Sequence, residues 1–72
     1  MPAKPIITLP WKEIAKMCNF LIARRGIEFK TFVTEIGYPE TSLSQVHHWV
    51  RGSKEPKRAA AMKIAEWCEK NQ

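Results

Sequence analysis

The sequence contains no aspartate, and its seven acidic residues are glutamates scattered along the chain. There is no Ser-His-Asp set, no glycine-rich phosphate loop and no cluster of carboxylates. The residue types that carry hydrolytic or phosphoryl chemistry are therefore not assembled, and no enzyme is expected. Cysteine is scarce. Cys18 and Cys68 each sit among apolar residues at helical spacing, as buried free thiols of a reducing compartment do, with a disulfide as the alternative. The two histidines, His47 and His48, are neighbours. On a helix they diverge by about 100° and make poor joint metal ligands, so neither a metal nor any other cofactor is expected. No apolar run approaches the ~18 residues of a membrane span. The opening MPAKPIITLPW, with three prolines and one lysine, lacks the pattern of a signal peptide. These absences point to a cytoplasmic protein with no membrane and no small-molecule substrate as partner.

What is present suits one small domain. The chain has 72 residues, 44% of them hydrophobic, including three tryptophans and three phenylalanines, which is enough for a compact core and argues against disorder. Twelve Lys and Arg against seven Glu give a net charge of +5. That excess favours a polyanion, either nucleic acid or an anionic membrane surface.

Hydrophobic periodicity predicts an all-α fold, a compact bundle of four or five short helices preceded by an arm. Pro2, Pro5 and Pro10 make residues 1–10 an extended arm. Within it Ile6–Leu9 is a short strand or sticky segment, packed on its own domain or paired with a second subunit. A first helix spans Trp11 to Arg25, with Ile14, Met17, Cys18, Leu21 and Ile22 as its buried stripe and Trp11 and Phe20 at the margins. Arg24 and Arg25 suit the helix dipole in the last turn or a phosphate, and Gly26 ends the helix. A second helix runs from Phe29 to Ile36 with an inner face of Phe29, Phe32, Val33 and Ile36. Gly37 closes it, and Tyr38-Pro39 blocks continuation.

The third helix begins near Ser42. Ser42 is a favourable N-cap, and Gln45 completes a Ser-x-x-Gln capping box. Val46, Trp49 and Val50 form the apolar face, leaving Ser44, Gln45, His47, His48 and Arg51 on the others. Gly52 is the left-handed stop. After the turn Ser53–Pro56, a last helix from Lys57 to Lys70 places Ala60, Ala61, Ile64, Ala65, Trp67 and Cys68 inward. Trp67 is either a core lid or part of a dimer contact.

This order resembles the helix-turn-helix of the phage lambda Cro and repressor family over roughly residues 14–68. Gly37, Ser42, Ser44, Val46, Trp49, Arg51, Gly52 and Pro56 carry the resemblance. Two departures stand out. The connection GYPETS is about three residues longer than that family's usual Gly-x-Ser. Phe29 also stands where the family often has a polar residue at the start of its second helix, which leaves Lys30 as the nearest candidate for that contact.

The resemblance implies that residues 11–72 are a DNA-binding domain whose third helix enters the major groove by its N-terminal end. Expected base contacts are Leu43, against a thymine methyl, with Ser44, Gln45, His47 and His48. Gln45 can pair bidentately with adenine, and protonation of the histidines would make binding pH-sensitive. Expected phosphate contacts are Lys30, Ser42, Arg51, Ser53, Lys54, Lys57 and Arg58, which supply affinity and register but not sequence. The function implied is a transcriptional repressor of phage or plasmid type that binds a double-stranded DNA operator as a homodimer. Two alternatives are an excisionase-like architectural factor that bends DNA and binds in tandem, and a protein-interaction module of antitoxin or anti-repressor type. The module would use the Trp67 end and the Ile6–Leu9 arm.

Overall fold

A computed structural model of the protein describes residues 6–72. Four α-helices follow one another: α1 (Trp11–Arg25), α2 (Phe29–Glu35), α3 (Leu43–Val50) and α4 (Arg58–Asn71), with 3-10 turns at Ile6–Thr8 and Glu40–Ser42. The described residues contain no strand, and the fold is all-α. Residues 1–5 of the expected arm lie outside the described residues. Its last part differs from the extended conformation that the prolines suggest. Ile6–Thr8 close into a 3-10 turn laid along α4 and α1, and half-buried Ile7 packs against the core. Burying an isoleucine on α4 outweighs the extended bias that proline places on its neighbours.

The helix ends follow from three glycines. Gly26, Gly37 and Gly52 have φ of 65°, 96° and 83°, and among the described residues no other residue type takes positive φ. At Gly26 and Gly37 the following amide turns back into the helix: Ile27 N–H donates to Ile22 O at 3.4 Å and Tyr38 N–H to Val33 O at 3.1 Å. Both are Schellman-type closures that occupy the last free carbonyls.

The core is a single cluster. Ile14, Cys18 and Leu21 of α1, Phe32 and Val33 of α2, Val46 and Val50 of α3, and Ile64 and Cys68 of α4 are all essentially inaccessible. Phe32 meets Trp67 edge to face at 4.7 Å between ring centres. The two alternatives for Trp67 thus resolve inward. Trp67 is buried and its indole Nε1–H donates to Glu35 Oε1 at 2.8 Å, so it is not available as an exposed docking residue. The margins of α1 also part company, since Trp11 is in the core while Phe20 is 63% exposed. Cys18 and Cys68 are free and buried. The neighbouring Cys68 thiol, added to burial, pushes Cys18 far above the ordinary thiol range, where a thiol is unreactive.

Glu35 ties the far side of the bundle together. Its Oε1 accepts from both Trp67 Nε1 and Arg25 Nη1, the latter at 2.7 Å. Arg25 therefore spends its charge on an intramolecular pair. Donation from Trp67 and then from Arg25 holds the Glu35 carboxyl below its ordinary 4.5. A depressed carboxyl contributes stability above its unfolded value and loses it as pH falls through the folded one. The side chains of the pair are 37% and 33% exposed, so solvent screening keeps the contribution to about 1 kcal/mol or less. In urea melts between about pH 3 and 7, wild type should lose stability on the acid side more steeply than Glu35→Gln, which starts lower and stays flatter. Parallel pH profiles would show that Glu35 does not supply this linkage.

Candidate nucleic-acid interface

The connection from α2 to α3 is not a plain loop. Pro39 is extended, and Glu40–Ser42 form a 3-10 turn that runs straight into α3. Ser42 N–H already donates to Pro39 O at 2.9 Å. Ser42 sits at φ −90°, ψ 3°, and its side chain makes no capping hydrogen bond. The Ser42–Gln45 capping box expected from the spacing is therefore absent. A capping serine needs extended backbone to turn its hydroxyl onto the helix amides, and the longer connection has already wound Ser42 into a turn.

The C-terminal end of α3 is fully tied. Arg51 N–H donates to His47 O, Ser53 N–H to His48 O and Gly52 N–H to Trp49 O. Trp11 Nε1 also donates to Trp49 O at 2.8 Å, and Asn19 Nδ2 to Val50 O at 3.0 Å. Each of the last four carbonyls thus has a donor, two of them with a side chain of α1. On the inner face Trp49 meets Tyr38 edge-on at 5.9 Å, and the Lys63 ammonium lies over the Tyr38 ring at 4.8 Å. Sequence reasoning placed none of Trp11, Asn19, Tyr38 or Lys63 in a supporting role. Trp11 was the most legible of them, as an indole at the first turn of an amphipathic helix that needs an acceptor if buried.

The outer face of α3 is open. Ser44, Gln45, His47 and His48 are exposed, as is Arg51 just beyond the helix. Two of the expected base-contacting residues are constrained by the protein itself. Leu43 is half-buried and packs against the core, so its side chain is held by neighbours rather than offered outward. His47 keeps an exposed surface but rests its ring edge-to-face against Phe29 at 5.1 Å.

The expected phosphate contacts divide by position. Ser42 is half-buried, while Ser53, Lys54 and Lys57 are exposed. Lys54 and Lys57 share a groove of about 470 Å³ with Gln45, Trp49 and Tyr38, which brings one expected base contact and two expected phosphate contacts together. Arg58 instead joins Glu55, Leu9 and Trp11 in a recess beneath the N-terminal segment. Lys30 stands on α2, 3.4 Å from Glu28 in a pair whose side chains are 56% and 72% exposed, which leaves its charge largely free. Lys12 and Lys16, which carry no role in the sequence analysis, stand on α1 and share a recess with Arg51. Their i, i+4 spacing on the polar side of α1 was the available signal.

Among the described residues no group of three His, Cys, Asp or Glu is placed to hold a metal, and no helix is long and apolar enough to cross a membrane. Gly52 sets the path from α3 into the basic turn. A Cβ there would meet no atom within 4 Å, so only the φ of 83° opposes a side chain. Gly52→Ala should therefore lower folding stability by about 1–2 kcal/mol, read as a shift in the urea midpoint; an unchanged midpoint would mean the left-handed stop is not required. No protein-family model, no curated protein and no solved structure matches this chain.

Proposed function

We propose that this protein is a cytoplasmic, sequence-specific binder of double-stranded DNA, a transcriptional regulator of repressor type that reads an operator with α3. The observation that carries the reading is the division of this helix. Val46, Trp49 and Val50 are buried, while Ser44, Gln45, His47 and His48 face solvent together, beside Lys54 and Lys57. At 1.5 Å per residue its eight residues span about 12 Å, comparable to the width of a B-DNA major groove. Gln45 offers the donor–acceptor pair that suits adenine, and His48 and Ser44 add donors on the same face. Lys54, Lys57 and Arg51 suit the phosphates on either side. The resemblance of residues 14–68 to the Cro and repressor family supports the same reading, and with it a homodimer on two half-sites about one DNA turn apart.

A second reading, a protein-interaction module, draws on different residues. Phe20 is 63% exposed, and Leu9 and Met62 are 39% and 41% exposed. Apolar side chains in water mark a contact only when they adjoin into a patch. Leu9 and Met62 both border Ile7, whereas Phe20 lies on α1.

Selection of bound duplexes from a random pool at low salt separates the readings. An enriched inverted repeat is expected. Direct repeats would favour a tandem-binding architectural factor, and no enrichment would favour the interaction module. Against the selected site, Gln45→Ala should lose about 1–3 kcal/mol of discrimination at one base position. Equal selectivity in mutant and parent would remove Gln45 from the reading face. Arg51→Ala should weaken binding to all sequences alike; a loss confined to one sequence would assign Arg51 to base reading instead.

A further inference from the structure

We propose that α1 carries a second phosphate-binding site, so that the DNA-reading helix is clamped from both flanks. This rests on the DNA-binding reading above and extends it to two lysines, Lys12 and Lys16, that the reading does not use. A recess of about 220 Å³ lies between α1 and the end of α3, and its charged lining is Lys12, Lys16 and Arg51. No carboxylate lines it. Among the described residues none of these three cations is in an ion pair. Three unpaired positive charges around one concavity repel one another, and an anion between them relieves that repulsion.

The competing role for these cations is to cap the negative end of α3. That role is already filled: the carbonyls of His47, His48, Trp49 and Val50 each accept a hydrogen bond from other donors. Asn19 Nδ2 closes Val50 O at 3.0 Å, so the recess presents cations and an amide rather than bare carbonyl oxygens. The Asn19 bond also fixes α1 against α3, which sets Lys12 and Lys16 in a constant relation to the reading face.

Helical geometry gives the recess its meaning. Successive residues turn about 100°. Gln45 and Trp49, which border the groove holding Lys54 and Lys57, lie on one flank of α3. Val50 and Arg51, which border the recess holding Lys12 and Lys16, lie roughly 170° away, averaged over each pair. The exposed face bearing Ser44 and His48 falls between. A helix seated in the major groove has one phosphate backbone on each side, so this arrangement places a cation set against each strand. The ligand is the phosphodiester backbone of the same duplex that α3 reads.

The test compares wild type, Lys12→Gln/Lys16→Gln and a control of equal charge change, Lys70→Glu, at a lysine that borders a recess also holding Glu35 and Glu66. Affinity for the selected duplex is measured between about 50 and 200 mM salt. The Lys12/Lys16 variant should show a plot of log affinity against log salt that is shallower by about 1.8, or about 0.9 for each lost contact, with base preference unchanged. The control slope should match wild type. Thermal melts check that each variant is folded, as expected for exposed lysines. If wild type binds and the Lys12/Lys16 slope equals its own, the second site is refuted while reading by α3 stands. An equal fall in the control would also refute it, since net charge alone would then account for the change. If wild type binds no duplex, the DNA-binding reading fails, and this inference with it.

Discussion

A helix of two turns does not persist alone in water, so what α3 can present depends on what holds its inner face. Trp49 is the centre of that hold. Its side chain is buried and meets Tyr38, while its carbonyl accepts from Trp11 Nε1 at the opposite end of the sequence of contacts. One residue thus fixes α3 to the connection before it and to α1 behind it. Removing the Trp11 donor would leave Gly52 N–H on the same carbonyl, so the indole's larger contribution is the apolar area it buries between α1 and the end of α3.

That hold constrains the remainder of the bundle. With α1 committed to α3 through Trp11 and Asn19, the other side is closed by α4, whose small residues Ala60 and Ala65 are buried and permit close approach. Trp67 then fills the space against Phe32, and Glu35 satisfies its N–H. Arg25 pairs with the same half-exposed carboxylate at 2.7 Å. The consequence for function is a sorting of cations. Arg25, which the sequence left open to a phosphate, is occupied with Glu35 and lies over the Trp67 ring at 5.9 Å. Lys63 is drawn over Tyr38. Among the described residues Lys54, Lys57, Lys12, Lys16 and Arg51, around α3, are in no ion pair.

The parts of this structure legible in the sequence are those set by local chemistry. Apolar spacing and the glycines at 26, 37 and 52 locate the helices to within about a residue or two at each end, because a left-handed stop is a backbone property that sequence states directly. The outward face of α3 was legible for the same reason, since Val46, Trp49 and Val50 settle by periodicity what must point away. Features set by competition between distant groups were not. Ser42 has the composition of a cap but is wound into the Glu40–Ser42 turn. Leu43 sits at the leading edge of α3 yet packs on the core. Trp67 was ambiguous because its partners, Phe32 and Glu35, lie more than thirty residues earlier. Ile6–Thr8 turns rather than extends because α4 offers Ile7 a place to bury.

The same logic explains why the charge excess is directional. A net charge of +5 spread evenly would attract polyanions without orienting them. In this bundle Glu66 and Glu69 border the recess at Ile7 and Met62, Glu35 is engaged by Trp67 and Arg25, and neither lysine-bearing flank of α3 holds more than one carboxylate, Glu55. The recesses flanking α3 thus carry more cations than carboxylates. On the DNA-binding reading proposed above, this bias would turn an approaching duplex toward α3 before any hydrogen bond forms, and such steering would weaken as salt shortens the screening length. On that same reading, orientation and base contact would fall to separate residues: lysines that need only be unpaired and near, and Gln45 with its neighbours, which must be held in register by Trp49.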